Sequence, residues 1–130
     1  MTYTLSATLQ RPYDRAVADV RAALADQGFG ILTEIDLRAT LKTKLDVDIP
    51  AHVILGACRP QLAHQALGID PAIATVLPCN VAVRALDDDT TVVEAFDPEA
   101  MTRLAGDALA EVAADARTRL TSALRALEES

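Results

Sequence analysis

The sequence has no tryptophan, and only two tyrosines, two phenylalanines, two lysines and two cysteines in 130 residues. Each scarcity excludes something. With Tyr3, Tyr13, Phe29 and Phe96 as the only aromatic side chains, a chain that is 51% hydrophobic must pack its core from Ala, Val, Leu and Ile. Many small residues then stand where elements approach closely. With Lys42 and Lys44 as the only lysines, scattered arginines and a net charge of −7, there is no basic strip for a phosphate backbone. No nucleic-acid partner is expected. No run reaches the roughly 20 apolar residues of a membrane span. Met1-Thr2-Tyr3-Thr4-Leu5 also lacks the charged and apolar regions of a signal peptide. The expectation is a cytoplasmic chain without membrane contact, in a compartment where cysteines stay reduced.

The length suits a single domain over residues 1–130. A chain of this size buries roughly two-thirds of its unfolded surface, so neither metal nor disulfide is needed to hold it together. Thr2–Leu9 alternates polar and apolar residues, the pattern of a half-buried strand. Pro12 and Asp14 announce a helix that Asp14 would cap, with Val17, Val20 and Leu24 on its buried stripe and Gly28 ending it. Gly30–Asp36 reads as a second strand, and Asp36 as the cap of a short helix over Leu37–Leu45 that Pro50 prevents from continuing. A nearly all-apolar, hence inner, strand follows over His52–Ala57. Pro60 opens a helix through Leu67, and Ala72–Val76 forms a short helical turn. Val81–Leu86 and Thr90–Phe96 flank Asp87-Asp88-Asp89 as a hairpin with a solvated acidic tip. Asp97-Pro98-Glu99 starts a helical stretch. A final helix over Asp107–Glu128 aligns Leu109, Val112, Ala116, Leu120, Leu124 and Leu127. With few βαβ repeats and a tight hairpin among the later strands, the fold class is α+β: an antiparallel sheet with helices packed on one face.

Both cysteines stand at element junctions, each beside a proline: Ile54-Leu55-Gly56-Ala57-Cys58-Arg59-Pro60 and Leu77-Pro78-Cys79-Asn80-Val81. If Cys58 is the N-cap of the helix it precedes, its sulfur faces free N–H groups and the positive helix end, with the Arg59 charge beside it. Both influences favour thiolate. If the two strands are antiparallel neighbours, the end of one lies beside the start of the other. The sulfurs then approach despite a separation of 21 residues.

Three roles are open to the thiols: small buried hydrophobes, the walls of a small-molecule or redox pocket, or metal ligands completed by His52 or His64. The spacing matches no zinc signature. Neither histidine has a partner at the spacing of a catalytic triad. The sequence contains no G-x-G-x-x-G, Walker loop or G-x-S-x-G. Glu34 with Asp36 and Asp46 with Asp48 read as a helix cap and loop residues rather than acid–base pairs.

The two cysteine segments, with Gly28-Phe29-Gly30-Ile31-Leu32-Thr33-Glu34-Ile35-Asp36 before them and Phe96-Asp97-Pro98 after, follow the order seen in the domain of unknown function DUF302, which the chain resembles over nearly its whole length. Arg59 departs from the "ILGACNP" pattern, which has Asn there. The resemblance implies duplicated β-α-β-β units similar to the TATA-binding-protein-like folds, and homodimers. It implies no established activity; the cofactor is left unknown and no metal is expected. The expected function is a non-enzymatic small-ligand binding or sensing module, with its pocket near Cys58, Arg59, Cys79 and Asn80. The alternatives are a redox protein or enzyme with Cys58 as nucleophile and Cys79 as resolving thiol, and a structural dimerisation domain.

Overall fold

A computed structural model describes residues 3–130, so Thr2 of the expected first strand lies outside the described residues. Five strands, β1 (Thr4–Leu9), β2 (Gly30–Asp36), β3 (His52–Cys58), β4 (Cys79–Ala85) and β5 (Thr91–Phe96), form one sheet in the order β1-β5-β4-β3-β2. Every neighbouring pair is antiparallel. The apolar β3 is an inner strand, as its composition predicts, and β1 and β2 form the edges. At the acidic tip the Asp89 N–H donates to Asp87 Oδ1 at 2.9 Å, closing the turn that joins β4 to β5.

The helices are α1 (Tyr13–Asp26), α2 (Leu37–Leu45), α3 (Pro60–Ile69), α4 (Glu99–Ala105) and α5 (Ala110–Glu129). Local chemistry sets their ends. Gly28, at φ +85°, lets the Phe29 N–H reach the Leu24 carbonyl and close α1. Asp36 accepts from the Ala39 N–H at 2.9 Å and caps α2, as predicted. Asp14 does not cap α1. Pro12 takes the N-cap position without a side-chain bond, and Asp14 sits in the first turn, where a carboxylate still favours the helix dipole. The last helical region is divided: Gly106, at φ +96°, separates α4 from a 3-10 turn (Asp107–Leu109) that leads into α5.

One face of the sheet is covered by α1 and α5. Val20 and Leu24 from α1 and Leu120 and Leu124 from α5 pack on Leu55, Val83 and Val93 of the inner strands. Full burial of each Val or Leu contributes roughly 1.5–3 kcal/mol. A second apolar cluster joins Leu62 of α3, Ile73, Met101 of α4 and Val112 and Ala116 of α5. The stripe predicted along α5 thus serves both clusters. The opposite face of the sheet is the floor of a groove. Five strands in this order do not establish a duplication of β-α-β-β units. No helix among the described residues is long and apolar enough to cross a membrane.

Candidate functional site at the cysteine corner

The register Ala57↔Cys79 places the end of β3 beside the start of β4, as the antiparallel reading requires. Cys58 and Cys79 therefore line one cavity, with Arg59 at its edge and Phe29, Leu62 and Met101 among its walls. Its volume is about 30 Å³, the space of about one water molecule. The walls are almost wholly apolar.

The chemistry of the thiols differs from the expectation. Pairing with Gly30 keeps Cys58 in the strand as its last residue, so Arg59, not Cys58, is the N-cap of α3. The helix end therefore gives Cys58 no thiolate stabilisation. Burial instead raises the Cys58 thiol above its ordinary range. Cys79 is buried, and desolvation pushes its thiol up to about 11, with the negative charge of an ionised Cys58 nearby adding to the effect. Burial thus disfavours the thiolate at both cysteines, the opposite of what the N-cap reading of Cys58 predicts.

Arg59 is the polar element of the corner. Its side chain lies back over Gly28, where an added Cβ would stand 3.1 Å from Arg59 Nε. Nη1 donates to Gln61 Oε1 at 3.4 Å, but the buried Nε has no hydrogen-bond partner among the described residues. Nor does Arg59 join any of the ion pairs found among them.

Asn80 is not part of this corner. Along Leu77-Pro78-Cys79-Asn80, Leu77 and Cys79 line the cavity while Pro78 and Asn80 line the groove on the other side of the sheet. Adjacent strand residues point to opposite faces, so neighbours in sequence serve different sites. At Gly56, opposite Asn80, the neighbouring strands leave no room for a side chain: a Cβ there would collide with Thr33 Oγ1 and lie 2.8 Å from Pro78 Cγ.

The groove is the feature that the sequence reading missed. His52, Ile54, Asn80, Ala82, Glu94 and Phe96 share it because the three-strand register aligns their alternating positions. Only that register, not any local motif, could have revealed it. Burial, then the neighbouring Arg84 guanidinium, hold the His52 imidazole below its usual range. His64 is exposed on α3. Among the described residues no three His, Cys, Asp or Glu side chains form a group that could hold a metal ion.

Residues 5–127 match the domain of unknown function DUF302. The chain belongs to the DUF302 family. Among solved structures it is similar to an uncharacterised conserved DUF302 protein from Bacillus stearothermophilus, at 26% identity and a TM-score of 0.88. That likeness covers 98% of this chain and 99% of the other. A search of curated proteins found no match.

Proposed function

We propose that this DUF302 domain is a non-enzymatic small-ligand binding or sensing module whose site is the Cys58–Arg59–Cys79 corner. The observation that carries the reading is Arg59 Nε, a buried donor with no acceptor among the described residues, beside an apolar cavity. An unsatisfied buried donor costs about 1–3 kcal/mol, and a ligand acceptor would offset that cost. The cavity accepts an apolar end no larger than one or two heavy atoms. The ligand class is therefore a short molecule with a methyl-sized end and an oxygen acceptor. Protonated thiols make soft apolar walls, a role that favours binding over thiol redox chemistry.

Acetate is the simplest probe of this class. Titrated into labelled protein, it is expected to shift the Arg59 Nε–H resonance saturably. Cys79→Leu, which fills the cavity, should abolish the saturation. A response that grows linearly without saturating, or one that survives Cys79→Leu in a folded protein, would remove the proposal.

A further inference from the structure

The groove on the face opposite α1 and α5 has the dimensions of a binding site in its own right. Its floor comes from four strands, with Thr4, Ile54, Ala82 and Phe96 contributed by β1, β3, β4 and β5. Val76, Pro78 and Leu104 complete its walls from the 3-10 turn over Pro71–Val76, the approach to β4, and α4. The groove, open to solvent, has a volume of about 520 Å³, within the ~300–1,000 Å³ of small-molecule pockets and far larger than the cysteine cavity. Apolar surface dominates, with a few polar groups among it, the composition such pockets share.

We propose that this groove binds one uncharged, amphipathic small molecule, its apolar body on Ile54, Ala82 and Phe96 and its polar end on Asn80 and His52. Charge decides the class. The carboxylate of Glu94 is already matched by Arg84 Nε at 2.9 Å. His52 is held neutral by burial and by that same guanidinium, against the opposing pull of Glu94. Tyr3 stands on the rim. Among the described residues no uncompensated charge therefore lines the groove, and a charged ligand would lose hydration without gaining a partner there. The exposed carboxamide of Asn80 offers both a donor and an acceptor to a neutral polar end.

Shape decides against a second copy of the chain. A two-fold contact would set the same concave face against itself and enclose two grooves of about 520 Å³ as one void. Close-packed interfaces do not retain empty space on that scale.

The neutral solvatochromic dye prodan and the anionic dye 8-anilinonaphthalene-1-sulfonate test the class on the intact chain. Prodan is expected to bind one-to-one with a blue-shifted emission, and at least roughly tenfold more tightly than the anion. Ala82→Phe, which fills the floor, and Ile54→Glu, which charges it, should each weaken prodan roughly tenfold or more while circular dichroism shows a folded chain. Should either variant fail to fold, amide shifts in the wild-type protein decide: prodan must move Ile54, Asn80, Ala82 and Phe96. Preference for the anion, undiminished binding in the folded variants, or shifts confined to Cys58 and Cys79 would each overturn the proposal. So would a sedimenting dimer that Ala82→Phe dissociates, because a second copy would then occupy the face. Apart from dye shifts at Cys58 and Cys79, none of these outcomes bears on acetate at the cysteine corner, so the two sites are tested separately.

Discussion

Gly56→Ala tests how tightly the cysteine segments are packed. Gly56 lies within β3, paired with Thr33 on one side and Asn80 on the other. Its added methyl would meet Thr33 Oγ1 and, at 2.8 Å, Pro78 Cγ. The two obstacles differ. Thr33 is exposed on the edge strand and can rotate its hydroxyl away. The Pro78 ring cannot rotate, and it stands directly before Cys79 at the head of β4. Forcing a methylene-sized group into such a contact costs about 1–3 kcal/mol. Replacing glycine in a strand returns roughly 0.5–1 kcal/mol by restricting the unfolded chain. The net expectation is a loss of about 1–2 kcal/mol. For a domain of this length that lowers Tm by roughly 3–10 °C. Thermal melts and urea titrations measure it. Thr33→Ala in the same chain should recover part of the loss, with a coupling of about 0.5–1 kcal/mol. A Gly56→Ala protein that melts at or above the wild-type temperature would refute the close approach, and with it the tight wall between cavity and groove.

Cys79 makes stability depend on alkaline pH. Its thiol stands at about 11 in the folded chain against an ordinary 9.0, so folding favours the protonated form. That contribution is complete below about pH 9 and is lost as pH climbs toward 11. Urea midpoints at about pH 8 and about pH 10.5 should show wild type losing about 2 kcal/mol more than Cys79→Ala, and equal losses would sink the argument. Iodoacetamide near neutral pH should label the half-buried Cys58 before Cys79, with both slower than free cysteine, since burial raises both thiols. A Cys58 that outpaces free cysteine would restore the thiolate reading. Arg11, buried just before α1, ties the middle of that helix to the end of α5, donating to Asp19 Oδ2 at 2.8 Å and to the Leu127 carbonyl at 2.6 Å. Arg11→Met keeps the stem but strips these charged bonds, and should cost about 2–3 kcal/mol in urea unfolding. A loss below about 0.5 kcal/mol would show that the end of α5 does not depend on it.

What the sequence disclosed follows from where its information is local. Pro12, Gly28, Asp36, Pro60 and the Asp87–Asp89 tip act within a few residues of themselves, and the elements they bound are the ones found. The misreading of Cys58 turns on a single residue. Pairing with Gly30 across the sheet extends β3 by one position and hands the N-cap to Arg59, and no feature near Cys58 encodes that partner. The high thiol pKa of Cys79 is equally non-local. Met101, Val112 and Ala116 close the cavity around it from helices that come more than 20 residues later in the chain. The period of two along Leu77–Asn80 was present in the sequence, yet it could not say which face was covered until α1 and α5 were placed. Once they are, Cys79 and Asn80 part to opposite sides of the sheet. The segment that suggested one pocket forms the partition between two. A substitution at Pro78 or Asn80 should therefore disturb the groove and leave the thiol cavity intact, while one at Leu77 or Cys79 should do the reverse. Probing each variant with both acetate and prodan separates the two faces. Coupled losses at both sites would show that the partition yields as a unit.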